Sequence, residues 1–308
     1  MEERRLSSVD PNWPRAGGWL AGDHEQGAAR RLAVLGAPLH VSSLTAGRCD
    51  LAPGAIRRAL DRLGTHDIEL DVDVREVAAR DLGDLPLAES TPEAALDPLS
   101  SAVAAAAVAA DVAVVLGGDN SVTRPGVHGL GALDEIGLLT IDAHLDLRDT
   151  TNGLTNGNPV RALLEDGLPG QHVTQVGIQA FANSRRYVDV ARDAGITVVT
   201  ADETRHRGLE AVIKEELQRL KAQVKSIYVD LDVDVLDRAF APGSPGSRPG
   251  GLAPADVRAA ARTVGRHPNV RAVDIVEVDP TTDVADVTVL AAASFLLAFA
   301  AGLAARPL

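Results

Sequence analysis

Cysteine is almost missing from this chain: Cys49 stands alone among 308 residues. No internal disulfide can form, so a reducing, cytoplasmic compartment is expected. Basic runs are missing too. The chain carries 30 Lys+Arg against 43 Asp+Glu, a formal net charge of −13. No stretch could follow a phosphate backbone, and no nucleic-acid partner is expected. The first 31 residues hold no apolar run of the signal-peptide kind, and residues 1–30 read as an irregular N-terminal extension. Ser/Gly linkers, heptad arrays and internal repeats are also lacking, so residues 1–308 read as one domain. A single stretch, Val287 to Ala305, is long and apolar enough to cross a bilayer. Alanine is its commonest residue and it runs straight into Arg306 and Pro307, so a buried C-terminal helix, not a membrane span, is expected.

Short apolar runs recur along the chain. They are Leu32–Leu35, Ile68–Val74, Val112–Leu116, Ile136–Ile141, Val173–Ile178, Ile196–Val199, Ser226–Leu231 and Val270–Val278. Longer helix-like stretches separate them, among them Pro53–Leu63, Pro92–Ala110, Ser184–Ala194, Gly208–Ala222 and Pro254–Val264. Strands apolar on both faces and alternating with helices imply βαβ units. The expected fold is a three-layer α/β/α architecture around a mostly parallel sheet of roughly eight strands.

Polar residues gather where the runs end. Gly117-Gly118-Asp119-Asn120 closes the third run, and Asp142, His144 and Asp146 close the fourth. Asp230, Asp232 and Asp234 close the seventh, and Glu277 closes the eighth. In open parallel sheets ligands bind beyond the carboxyl ends of the strands, so four polar strand ends point to one site. Asp142, His144 and Asp146 are expected to project together from one face of extended backbone, where residues i, i+2 and i+4 point the same way; Asp232 and Asp234 repeat the spacing. An isolated Asp-x-Asp at a strand end is more often a turn or a helix cap. Two such clusters together, with a Gly-Gly-Asp turn, favour a site. Acids gathered this closely need cations between them to stay ionised. Oxygen donors with one imidazole favour a hard divalent ion, Mn²⁺ before Zn²⁺, and the carboxylates suffice to bridge two.

With GGDNS at 117–121, DAHLD at 142–146, DLDVDVLDRAFAPGSPGSRPGGL at 230–252 and DIVE at 274–277, the chain resembles the ureohydrolase (arginase-like) superfamily. LGAP at 35–38, PGAIR at 53–57 and DLGD at 81–84 add to the likeness, which covers nearly everything after residue 30. The resemblance implies an arginase-like fold, two Mn²⁺ per chain, a small amidine substrate and a homo-oligomer, trimer or hexamer. It implies that Asp142 and Asp232 bridge the ions, that Asp146 and Asn120 complete one shell, and that His144 and Asp234 complete the other. A bridging hydroxide is then the implied nucleophile, Asp146 passes the proton to the leaving amine, and Glu277 receives the substrate's cationic nitrogens.

Departures from the family pattern narrow the reading. Asn120 stands where arginases and agmatinases carry a ligand His, and Asn156, in TNGNPVR, where arginases carry a proton-shuttling His. Asp230 replaces a family Ser, and Arg238 a family Pro. The Asn exchanges, the DLR of residues 146–148 and GIQAFANS at 177–184 resemble the formiminoglutamase branch. That branch implies hydrolysis of N-formimino-L-glutamate to L-glutamate and formamide. A guanidino-acid hydrolase releasing urea and a non-catalytic relative are the alternatives. Asn156 and Asn158 are candidate substrate contacts. Arg148, two residues beyond Asp146, could offer a forked cation to a substrate carboxylate. Arg161, Arg185 and Arg186 read instead as surface partners of nearby acids.

Overall fold

In a computed structural model, residue 10 and residues 12–307 are described. They form ten strands: β1 Arg30–Ala37, β2 His66–Asp67, β3 Val72–Asp73, β4 Val77–Asp84, β5 Val112–Gly117, β6 Ile136–Ile141, β7 Val173–Ile178, β8 Thr197–Thr200, β9 Ser226–Asp232 and β10 Val270–Val276. Ten α-helices accompany them: α1 Ala16–Leu20, α2 Ala52–Leu60, α3 Pro92–Ala109, α4 Thr123–His128, α5 Pro159–Asp166, α6 Arg185–Ala194, α7 Ala201–Arg207, α8 Leu209–Lys221, α9 Pro254–Arg266 and α10 Val287–Ala304. Eight strands make one sheet in the order β4-β1-β5-β10-β9-β6-β7-β8. All its pairings are parallel.

Alternation along the strands builds two cores. Leu32 and Val34 of β1, with Val112, Val114 and Leu116 of β5, face the layer of α2, α8, α9 and α10. Ala33 and Leu35, with Ala113 and Val115, face the layer of α3 to α6. Strands buried on both sides read as continuous apolar runs because each face meets helices. Local signals set the helix ends. Thr91 caps α3 by accepting from the Ala94 amide, with Pro92 in the first turn. Ser184 caps α6, and Gly195 ends it with φ +79°, a left-handed conformation that costs glycine little.

The expected C-terminal helix is α10, and 72% of its apolar window is buried in the protein. Its uniform hydrophobicity has a simple cause. It packs against the sheet through Phe295, Leu296 and Phe299, all under 4% exposed, and against α9 on another side. Gly265 and Gly302 make that crossing close: a Cβ on Gly302 would lie 2.1 Å from the Arg262 carbonyl oxygen.

Two expectations from the sequence need correction. Ile68–Val74 is not a sheet strand; it contributes only to the two-residue pairing of β2 with β3, and Ile68 is 81% exposed. One edge of the sheet is β4, whose VAARDLGD lacks an apolar run. An edge strand meets solvent along one side, so charges suit it. Arg57 of α2 ties it down, with its Nε and Nη2 each 2.8 Å from Asp81 and its Nη1 bonded to Asp84. The N-terminal extension is irregular only in part. Within it α1 is helical, and Trp19 is fully buried with its indole donating to the Val77 carbonyl at 2.9 Å. Residues 1–9 and 11 lie outside the described residues.

Candidate metal centre

Strands β5, β10, β9 and β6 are consecutive neighbours at the middle of the sheet. Their carboxyl ends therefore bring Asn120, Glu277, Asp232 and Asp142 side by side, although 157 residues separate Asn120 from Glu277 in sequence. The chain crosses over between β5 and β6, which makes this a switch point of the kind that opens a crevice above a parallel sheet.

The side chains converge by turns and not by the pleat. Extended structure stops at Ile141, and beyond it the His144 amide donates to Asp142 Oδ1 at 2.7 Å. The same turn recurs after β9, where the Asp234 amide donates to Asp232 Oδ1 at 2.7 Å. Aspartate closes such turns because its short carboxylate reaches the amide two residues on. So the first Asp of each motif both shapes the loop and faces the site. Asn183 braces the first loop from outside, accepting from the Leu145 amide at 2.8 Å and donating to the Ala143 carbonyl at 3.0 Å. Gly118 allows the backbone of the β5 turn to lie against Leu39, whose oxygen would be 1.9 Å from a Cβ there. Gly246 is packed likewise, with Asp234 Oδ2 at 2.0 Å from the position of a Cβ.

Asp142, His144 and Asp234 present ligand atoms that all lie within 4.8 Å of one another. His144 Nδ1 is 2.8 Å from Asp234 Oδ2 and 3.5 Å from Asp142 Oδ1. Asp146, Asp232, Asp234, His144 and Glu277 line one cavity of about 290 Å³. The four aspartates are each at most 8% exposed. Burial, then the charge of Asp234, pushes the Asp142 carboxyl up to about 7. Burial, then Asp142, raises Asp146, and burial, then Asp234, raises Asp232. Burial is the largest influence on Asp234 and would raise it, but the charge and hydrogen bond of His144, with hydrogen bonds from Asp142 and the Ala143 amide, together hold it low. Asp234 in turn holds the His144 pKa up at about 12. Four buried carboxylates against one imidazole is a donor set that suits hard divalent cations, which would supply the missing positive charge.

Two residues at the site adopt left-handed backbone: Asp146 at φ +50° and Glu277 at φ +61°. Such strain in non-glycine residues gathers where function fixes a geometry. Glu277 Oε1 accepts from the Asn120 amide and from Asn156 Nδ2, both at 2.8 Å. Burial, then Asp119, pushes its carboxyl up to about 8. Asn120 lies against Asp146, its side-chain nitrogen donating to Asp146 Oδ2 and its oxygen accepting from Thr123 Oγ1 at 2.6 Å.

The family model for arginases matches residues 30–302. The chain belongs to the arginase family. A formimidoylglutamase of Halalkalibacterium halodurans is 36% identical over 280 residues, 87% of this chain and 86% of that one. The crystal structure of formimidoylglutamase from Bacillus subtilis superposes with a TM-score of 0.90 at 32% identity, covering 100% of this chain and 97% of that one. Formiminoglutamase of Trypanosoma cruzi, solved with Mn²⁺, superposes with a TM-score of 0.85 at 26% identity, covering 96% of this chain and 100% of that one. The fold is accordingly the arginase-like one, and this arginase-family hydrolase acts on a small molecule.

Within the arginase-family frame, the remaining candidates separate. Asn156 lines the cavity and also accepts from the Leu44 amide at 2.9 Å, fastening a neighbouring loop. Asn158 does not line it. Its oxygen accepts from the Thr155 amide at 2.8 Å and its nitrogen donates to the Gly153 carbonyl at 3.1 Å; both ends of the amide serve the 149–158 loop. Arg161 pairs with Glu165 and Arg185 with Asp189, one helical turn away in each case. Arg148 does reach the cavity, and so does Arg248, which the sequence did not single out. Arg248 sits in the long 238–252 loop, where no periodicity tells which side chains turn inward. Arg238 pins that loop, its Nη1 donating to the Ser244 carbonyl at 3.0 Å. Asp230 lies one strand repeat before Asp232, buried beside Asp274; burial, then the charge of Asp274, raises its carboxyl well above the usual range.

Proposed function

We propose that this chain is a formimidoylglutamase, hydrolysing N-formimino-L-glutamate to L-glutamate and formamide on a pair of Mn²⁺ ions. One observation carries the choice of an amidine that bears carboxylate. Arg148 and Arg248 open onto the same cavity as Glu277 and the aspartates, and neither makes an ion pair among the described residues. A substrate with a cationic amidine head and carboxylates at its far end matches that polarity. Agmatine, which has no carboxylate, does not.

Asp142, Asp146, Asp232 and the oxygen of Asn120, with His144 and Asp234, would hold the ions. Bound there, Mn²⁺ supplies Lewis acidity and makes water nucleophilic at neutral pH. Glu277 binds and orients the substrate. Its Oε1 already takes two protein donors, so Oε2 is free to accept from the amidinium and face its carbon toward the metals. Asn156 holds that carboxylate still. As the carbon–oxygen bond forms and the bond to the glutamate nitrogen breaks, Asp146 carries a proton to the departing amine.

A single unit over residues 1–308, a trimeric or hexameric assembly and a cytoplasmic location belong to the same reading. The support is one sheet that draws its strands from Arg30 to Val276, the family resemblance and the lone buried Cys49. The test is product analysis. Purified, Mn²⁺-loaded protein is given N-formimino-L-glutamate and, separately, guanidino acids. Formamide without urea is expected. Urea without formamide would replace the proposal with a guanidino-acid hydrolase, and neither product would leave a non-catalytic relative.

A further inference from the structure

Behind Asn120 runs a buried polar chain that the reaction above does not use. Thr123 Oγ1 lies 2.6 Å from Asn120 Oδ1 and 2.9 Å from Asp274 Oδ2. The Tyr228 hydroxyl donates to the same Asp274 oxygen at 2.8 Å, and the Leu231 amide donates to the other at 3.3 Å. Thr123, Asp274 and Tyr228 are all 0% exposed.

A hydroxyl has one proton, so Thr123 can donate to Asn120 or to Asp274 but not to both. The choice sets the amide. When Thr123 donates to Asn120, the amide oxygen faces Thr123 and its nitrogen faces Asp146. When Thr123 donates to Asp274, its oxygen is left as an acceptor, and the amide must turn its nitrogen toward Thr123. The amide oxygen then lies beside Asp146. The two settings differ by a half-turn about the last side-chain bond and occupy nearly the same volume.

We propose that Thr123 and Asp274 are positioning residues that make Asn120 an oxygen donor to a cation held at Asp146. An N–H aimed at a cation is repelled, whereas a carboxylate is a stronger acceptor than an amide oxygen and draws the Thr123 proton its way. The fold thus provides a fixed acceptor behind the hydroxyl, and the hydroxyl selects the end of the amide that meets the ion. The inference rests on the reading of Asn120 as a ligand.

Mn²⁺ titration of the full chain after chelator treatment tests it, by calorimetry and by the electron paramagnetic resonance signal of free Mn²⁺. Wild type is expected to take up two ions, and Asn120→Ala to loosen one of them. Thr123→Val should loosen the same ion about 10-fold or more and leave the other within about twofold, with Thr123→Ser restoring affinity. Asp274→Asn should act in the same direction and serves if Thr123→Val does not fold. In an Asn120→Asp background the Thr123→Val effect should vanish, because both ends of a carboxylate are oxygens. Wild-type affinity in Thr123→Val and Asp274→Asn, alongside a weakened Asn120→Ala, overturns the positioning role. So does an equal loss in the Asn120→Asp background. If Asn120→Ala binds both ions normally, the ligand reading falls and takes the inference with it.

Discussion

Glu277 combines three properties seldom found together: a left-handed backbone, near-complete burial and two protein donors on one carboxylate oxygen. Glu277→Gln keeps the shape and the contacts of Oε1, but turns an amide and not a charge toward the substrate. kcat/KM is expected to fall about 100-fold while Mn²⁺ uptake stays within about twofold; loss of the metals would show that Glu277 holds them itself. At Asn120 the opposite kind of change is informative. Asn120→His replaces a weak amide donor by imidazole and should tighten the more loosely bound Mn²⁺ by about 10-fold or more. Unchanged or weaker binding in a metal titration would remove residue 120 from the coordination shell. Both residues were legible in the sequence as types at motif positions. Their partners were not, because Asn156 and Thr123 reach them through turns whose direction no spacing rule reveals.

At the scale of elements, α10 shows how composition and environment separate. Its apolar run is long enough for a bilayer, and only the packing against α9 and the sheet shows what covers it. Glycine inside an exposed helix weakens it by about 1 kcal/mol relative to alanine, so Gly302→Ala would ordinarily stabilise. Here the added Cβ would meet the Arg262 carbonyl at 2.1 Å, and a helix backbone cannot yield as a side chain tip can. Gly302→Ala is therefore expected to lower Tm in thermal unfolding, by an overpacking cost of roughly 1–3 kcal/mol. A raised Tm would mean that the crossing is looser than described. The edge strand β4 teaches the converse. Its charges hid it from a search for apolar runs, yet Arg57 and the acids it pairs with lie inside PGAIR and DLGD, two of the motifs noticed for another reason.

The whole molecule is organised to hold buried acids, and its pH dependence should show this. The carboxyls of Asp142 and Glu277 are pushed to about 7 and about 8, and Asp146 and Asp232 are raised with them. An acid whose folded pKa is raised stabilises the fold fully below its unfolded value near 4. That contribution is lost as pH rises through the folded value. His144, raised to about 12 by Asp234, loses its contribution as pH climbs above 6.5, in the same direction. Asp234, held low, changes nothing above about 4. Chelator-treated protein should accordingly lose stability between pH 5.5 and 8, by up to about 1.4 kcal/mol per pH unit for each group in its window. Mn²⁺ replaces those protons, so its stabilisation should be larger at pH 8 than at pH 5.5, and about 2.7 kcal/mol per ion at 100 times Kd. Thermal melts at the two pH values, with and without Mn²⁺, check both signs. A chelator-treated Tm that rises across the interval would contradict the packed carboxylates.

Periodicity and residue type determined much of this protein without coordinates. Alternating apolar runs and helical stretches set a parallel α/β sheet, because only helices on both faces can bury such strands. Asp142, His144, Asp146, Asp232 and Asp234 were marked as a cation-binding set, because so many acids at strand ends repel one another without one. Tertiary structure alone decided that β5, β10, β9 and β6 are neighbours, since strand order follows from crossovers that no local pattern encodes. It alone decided that turns, not the pleat, aim the aspartates, and that Arg248 joins the cavity while Asn158 serves its own loop. Those outcomes depend on which long-range contacts exclude water, and that is a property of the packed chain.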